Sequence, residues 1–365
     1  MSEVQMDTPN NLQSGGLKDS SEPKSKVKES FLTEYNFSNL KVKDFLKEYK
    51  YEILLGFIII GAIIYKLWDN PYLLNTILRN PFEKIDLNKT YESKKIPKII
   101  WVYWNDPIEK APEIVQMCVD LIHKFNKEFS VRLLNEQNYK EFVSDKEVIS
   151  VMESKLNHNY KSDLLRLYLV YTYGGIYIDS SILPFQSFEW IIHLMNESDK
   201  EVLFYKNIQH TTDKYRPVCE NWMIVSVKDN PIIKIIMDDL KNALKEGVMN
   251  SYKRLISDKN VDYQNFISHG PFHLAYFVII NTLTKNNLHD KIEYLDCSYS
   301  GYPCQTISNN YKINELFLKT MNSEDFIQFC HDNKFVKLTS YNRKYIEYLN
   351  MKPIEGSIVD QLLRI

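Results

Sequence analysis

Residues 161–183, KSDLLRLYLVYTYGGIYIDSSIL, limit what this chain can fold into more than any other stretch. Leu164, Leu165, Leu167, Tyr168, Val170 and Tyr171 would cover nearly every face of a helix, the pattern of one that is buried all round. Ser162 and Asp163 precede them, and short polar side chains accept hydrogen bonds from free N–H groups, so the helix is expected to be capped there. Gly174 and Gly175 end it, because glycine enters left-handed backbone conformations cheaply. Ile176, Tyr177 and Ile178 then read as a short strand that delivers Asp179 to its C-terminal end. An acidic residue in that place faces the crevice where open α/β sheets bind ligands. The alternative for the same residues is any buried helix feeding a core strand.

Neighbouring segments extend the pattern. Ile99, Ile100, Trp101, Val102 and Tyr103 form an apolar run of strand length behind a proline. Ile114, Met117, Cys118, Leu121, Ile122 and Phe125 recur at helical spacing, and Ser130 to Leu134 reads as a second strand. The result is a β-α-β opening, the usual start of a nucleotide-binding sheet.

In these segments the chain resembles the DXD-type sugar transferases, above all glycosyltransferase family 32 and the related capsular polysaccharide synthesis proteins. Asp163 and Arg166 fill the SD-x-x-R pattern of those families, and residues 173–179 fill YGG-[IV]-[YW]-[LI]-D. IPKIIWVYW at residues 96–104 looks like their first strand, and ENWMIVSVKDNPII at residues 220–233 is similar to their E-N-W-F-I-A-x-K segment. HGPFHLAYFVI from His269 resembles a [TH]-GP segment, and VKLTSYNRK from Val336 resembles an H-K-L-T-x-K ending. The resemblance spans about residues 96–345.

It implies a GT-A-type, Rossmann-like α/β domain that moves a sugar from a nucleotide diphosphate sugar, with retention at the anomeric carbon. It also implies Asp179 as the first carboxylate of DXD, touching a divalent cation or the sugar. Hard oxygen ligands suit Mn²⁺ or Mg²⁺, which would hold the departing diphosphate. The second DXD position falls on Ser181, a weak neutral ligand, so the metal pair Asp179 and Ser181 departs from the pattern. Asp163 and Arg166, three apart on one helix face, are implied to contact the ribose or donor sugar; a plain ion pair is the other reading. Trp104 is expected to stack on the base, with a core position as its alternative. Tyr177 and Asn221 complete the expected donor set, and His269 is the candidate for the acceptor, although a structural histidine is the commoner case. An inactive, sugar-binding relative acting as a membrane-tethered scaffold is the rival reading, favoured by Ser181 and opposed by the other motif residues.

The N-terminal third concerns address. Residues 1–30 hold no aromatic residue and cannot bury enough apolar area to offset their ordering entropy, so residues 1–46 read as a disordered polar tail. Residues 47–68, KEYKYEILLGFIIIGAIIYKLW, read as one membrane span. Its uncharged centre is short, but Lys50 and Lys66 can snorkel, and Tyr49, Tyr51 and Trp68 suit the interfacial belts. A buried or an interfacial helix are the alternatives. The segment lies far from the N terminus for a cleaved signal peptide. Lys41, Lys43, Lys47 and Lys50 precede the uncharged centre of the span while Lys66 and Arg79 follow it, which favours a cytosolic N terminus and a type II, signal-anchor plan. The catalytic domain would then be lumenal, in Golgi or ER, if the source is eukaryotic or viral; in a cytosolic setting the cysteines would stay reduced.

Residues 69–95 read as a stem and residues 96–365 as the transferase domain, large enough for one α/β core. Sequons at Asn88 and Asn196 are compatible with a lumenal domain, and Cys297 and Cys304 are near enough in sequence to bridge. No cysteine spacing resembles a zinc site. A formal charge of −2 gives no case for nucleic acid as partner. The expected partners are a nucleotide diphosphate sugar, a glycan, glycolipid or polysaccharide acceptor, and the membrane.

Overall fold

The computed structural model describes residues 96–298, 300–302 and 309–365. The predicted tail, membrane span and stem, residues 1–95, lie outside the described residues, as do Asn88 and Cys304. Among the described residues no helix is long and apolar enough to cross a membrane.

The elements follow the chain as β1 (Ile99–Tyr103), α1 (Glu113–Phe125), β2 (Ser130–Leu134), α2 (Lys146–Met152), α3 (His158–Thr172), β3 (Gly175–Asp179) and β4 (Ile182–Pro184). Next come α4 (Glu189–Glu197), β5 (Val202–Lys206), β6 (Cys219–Ser226), α5 (Pro231–Glu246), α6 (Val248–Ile256), α7 (Leu274–Lys285) and β7 (Ile292–Asp296). The last are α8 (Asn309–Leu318), α9 (Ser323–Asn333), β8 (Phe335–Lys337), α10 (Ser340–Tyr348) and α11 (Ile358–Arg364). Six strands form one mixed sheet in the order β2-β1-β3-β6-β5-β7, in which β6 alone runs antiparallel to both its neighbours. The fold is therefore α/β, with the β-α-β opening that the apolar runs predict.

Among the described residues one apolar core lies against this sheet and another against the two-stranded sheet β4-β8. The larger gathers Leu164, Leu165 and Leu169 of α3 with residues of α5 and α7, such as Leu240 and Phe277. The smaller packs α1, through Val115 and Cys118, against the C-terminal helices and the two-stranded sheet β4-β8. β1 is buried along most of its length, and Trp101 Nε1 donates to the Gly174 carbonyl at 2.9 Å, tying β1 to the turn that feeds β3.

That turn needs glycine. Gly174 and Gly175 have φ of +70° and +96°, and a Cβ on Gly175 would lie 2.5 Å from the Ile99 carbonyl oxygen. Strand β3 can approach β1 only because no side chain stands there.

The start of α3 departs from the expectation. Its N-cap is Asn157, whose side chain accepts from Asn159 N–H, so Ser162 and Asp163 lie inside the helix and do not cap it. The first turn, His158 to Lys161, is polar and leaves no apolar periodicity to mark it. Ser162 instead donates back to the Asn159 carbonyl, freeing Asp163 to face the interior. At the Asn196 sequon the side-chain Nδ2 is buried, near the end of α4. Cys297 carries a free thiol.

Candidate active site

Tyr103 and Asp179 are the last residues of β1 and β3 and stand side by side in the sheet. A cleft of about 380 Å³ opens at these strand ends, walled by α3, β6, the segment around His273, and the start of α10.

Arg166 organises one wall. Its buried guanidinium lies 4.8 Å from the centre of the Tyr177 ring, a cation–π contact, and donates to Asn221 Oδ1 at 3.0 Å and to the Asn221 carbonyl. It approaches Asp163 Oδ1 at 3.2 Å and Asp179 Oδ1 at 3.4 Å. Asn221 Nδ2 closes the ring by donating to Asp163 Oδ1 at 2.9 Å.

Lys337 organises the other. Its ammonium donates to Asp179 Oδ2 at 2.6 Å and to Ser181 Oγ at 2.8 Å. The backbone holds it firmly: Lys337 pairs with Ile182 across β4-β8, its N–H meets the Gly301 carbonyl, and Leu338 N–H meets the Ser181 carbonyl. Arg343, on α10, donates to the Leu338 carbonyl at 3.2 Å and lies 5.9 Å from the Trp104 ring centre.

These neighbours separate the two carboxyls. Burial drives Asp163 up to about 6, with the nearby Asp179 charge adding to the rise and Arg166 and Asn221 opposing it. Burial acts on Asp179 in the same direction, but Lys337 and Arg166 outweigh it and hold that carboxyl below its ordinary value. Burial also lowers Lys337, against the pull of Asp179. The charged lining comprises the carboxylates Asp163 and Asp179 and the cations Arg166, Lys337 and Arg343, with half-exposed His158 at the rim. One cation is in excess, so the cleft suits an anion.

Behind the cleft, buried Glu220 accepts from Asn207 Nδ2 at 2.7 Å, Tyr276 Oη at 2.9 Å and Tyr302 Oη at 3.1 Å. Tyr276 and Tyr302 line the cleft, so Glu220 fixes two of its walls.

The structure brings Trp104, Asp163, Arg166, Tyr177, Asp179, Ser181 and Asn221 to one cleft. It does not bring His269, which stacks on Phe266 at 4.5 Å and meets His210 edge-on; burial lowers its pKa. His273 lines the cleft in its place. Sequence reasoning missed Lys337, Arg343, Glu220, Tyr276 and Tyr302. The VKLTSYNRK segment held the signal for the first two, since a basic ending shared with sugar transferases implies an anionic ligand.

The divalent ion implied by the resemblance fits this arrangement poorly. Each Asp179 oxygen already faces a cation, and Ser181 shares the same ammonium. At 4 Å a unit-charge pair is worth ~4 kcal/mol at an effective dielectric of about 20, so a dication facing Lys337 and Arg166 meets roughly four such repulsions against the two unit attractions that Asp179 offers. Among the described residues no group of three or more His, Cys, Asp or Glu is placed to hold a metal.

A mixed α/β sheet with this cleft at its strand ends belongs to a glycosyltransferase. The chain belongs to the capsular polysaccharide synthesis protein family, whose model matches residues 69–352. A search of curated proteins found no match. Among solved structures the chain is similar to the PaToxG glycosyltransferase, at 15% identity and a TM-score of 0.32, covering 54% of this chain and 86% of that one. It is similar to a glycosyltransferase involved in glycosylation of the major capsid of PBCV-1, at 12% identity and a TM-score of 0.34, covering 70% and 100%. The galactosyltransferase LgtC with donor and acceptor sugar analogs matches at 9% identity and a TM-score of 0.32, covering 70% and 97%.

Proposed function

We propose that this protein transfers a sugar from a nucleotide diphosphate sugar to a glycan, glycolipid or polysaccharide acceptor. The observation that carries the reading is the cleft's excess of one cation: Arg166, Lys337 and Arg343 stand against Asp163 and the strand-end carboxylate Asp179. A diphosphate diester brings two negative charges, which this wall can receive. Trp104 stacks on the base, while Asp163, Arg166, Tyr177 and Asn221 hold the ribose and donor sugar. Asp179 orients Lys337 and Arg166 and faces the sugar. His273 and Tyr276, which also line the cleft, receive the acceptor in this reading.

In the reaction the anomeric C–O bond breaks and its electron pair passes to the β-phosphate oxygen. The acceptor hydroxyl oxygen forms the new bond on the same face, giving retention, and its proton goes to the departing phosphate. No protein base is needed on that path. Charge developing on the leaving oxygen is where fixed cations lower the barrier.

The domain adopts a GT-A-type arrangement, anchored through residues 47–68 with the N terminus in the cytosol. The Ile-rich span and the excess of lysines before it support the anchor. Carbonate extraction of membranes followed by protease protection tests it, and release into the soluble fraction would remove it.

The site reading is tested by incubating the full chain with GDP-mannose, UDP-glucose, UDP-galactose and their N-acetylated analogues. Released UDP or GDP that disappears in Asp179→Asn is expected. Donor binding without any release would favour the inactive, scaffold-type reading that Ser181 suggests.

A further inference from the structure

The residues expected to hold a metal hold an ammonium ion instead. Ser181 stands where a second carboxylate would be, and Lys337 Nζ bridges its hydroxyl and Asp179 at 2.8 and 2.6 Å. This lysine is not a loose surface group: it is 8% exposed, and its strand is clamped by Gly301 on one side and Ser181 on the other. The neutral residue at 181 and the cation at 337 go together, because one carboxylate balances one ammonium, whereas two would call for a divalent ion.

We propose that Lys337 takes the place of the divalent cation, so that its ammonium, together with the Arg343 guanidinium, receives the donor diphosphate and the enzyme needs no metal. The inference rests on the donor reading above and adds how its charge is met. Lys337 has three N–H donors and spends two of them on Asp179 and Ser181, leaving one for a phosphate oxygen. Arg343 adds a second cation on the same wall, at the first turns of α10. Ser181→Asp by itself should then give the ammonium a second carboxylate and leave Mn²⁺ affinity low. A metal pair arises only when Lys337 is removed as well.

Calorimetric binding of UDP and of GDP to the full chain, in excess EDTA and in saturating Mn²⁺, tests this. One nucleotide should bind equally well in both buffers, and electron paramagnetic resonance should find no tightly held Mn²⁺ on the wild type with nucleotide present. Lys337→Met should weaken nucleotide binding by roughly tenfold or more. The double variant Lys337→Ala with Ser181→Asp should bind nucleotide only with Mn²⁺ and show a bound-Mn²⁺ spectrum. Wild-type binding that requires Mn²⁺, or tight Mn²⁺ on the wild-type complex, would overturn the inference alone and leave the donor reading standing; both are read on unaltered protein and do not depend on a variant folding. Failure of both nucleotides to bind in any buffer would overturn the donor reading and this inference with it.

Discussion

Lys337 Nζ lies 2.6 Å from Asp179 Oδ2, although 158 residues separate the two in the chain. The contact joins the end of β3 to the end of β8, and Arg166 holds the other Asp179 oxygen from α3. One carboxylate therefore ties three segments together while it faces the cleft. Its position at a strand end suggests a residue the fold can spare; its two ion pairs say otherwise.

Asp179→Asn should lower turnover by about 10²–10³-fold, because the groups that meet developing charge lose their common partner. It should also cost about 1–3 kcal/mol of stability, since Lys337 and Arg166 keep their charges with less to balance them. Donor hydrolysis and denaturant unfolding read the two effects separately. Full stability with no activity would mean that the pair serves chemistry alone.

Glu220→Gln should destabilise the fold by about 1–3 kcal/mol, because an acceptor of three buried hydrogen bonds becomes partly a donor facing donors. Tyr276 and Tyr302 lose their anchor, so KM for the acceptor should rise more than kcat falls. A variant with unchanged melting and unchanged KM would remove Glu220 from any positioning role.

Much of this architecture is legible in the sequence because it is local. The apolar run of β1, the helical spacing in α1, the Gly174-Gly175 stop and the strand carrying Asp179 each lie within a few residues of their cause. Asp163, Arg166 and Asn221 could be named from short motifs for the same reason. Lys337 also lies in a short motif, VKLTSYNRK, but its partners could not be read there, since they depend on β8 pairing with β4 and so bringing residue 337 beside residue 181. The cap of α3 escaped because its first turn is polar, and polar turns carry no periodicity. His269 and His273 look equivalent in sequence. Only the 3₁₀ turns Ile267–His269 and Pro271–His273 decide which of them lines the cleft.

Gly175→Ala should destabilise the protein by about 3 kcal/mol or more, combining a disfavoured backbone with a steric clash. The new Cβ would meet the Ile99 carbonyl oxygen at 2.5 Å, and that oxygen belongs to a central strand that cannot retreat. At Gly174 no contact is as short: a Cβ would meet Lys228 N at 2.8 Å and the Pro97 ring at 2.9 and 3.0 Å, and φ of +70° is nearer the left-handed well, so Gly174→Ala should cost less. Urea midpoints for the two variants give the order directly; a reversed order would mean that β1 yields more easily than the turn before α5.

Acidity should act on donor binding through Asp163. Its carboxyl titrates near 6, so it is mostly charged at neutral pH and mostly neutral one unit below that value. Protonation leaves one carboxylate, Asp179, against Arg166, Lys337 and Arg343, and Asp179 keeps its charge because its cationic neighbours hold its pKa low. The cleft becomes more positive as pH falls through 6, so a nucleotide diphosphate sugar, whose diester phosphates keep their charge in this range, should bind more tightly. The gain should approach roughly tenfold, or ~1.4 kcal/mol. Asp163→Asn should reduce the dependence by removing one titrating group; the histidines His158 and His273 also line the cleft and stay in place. Affinity that falls with pH over the same interval would instead mean that the carboxylate form of Asp163 grips the donor, through the ribose or sugar hydroxyls, and that this contact outweighs the charge it adds.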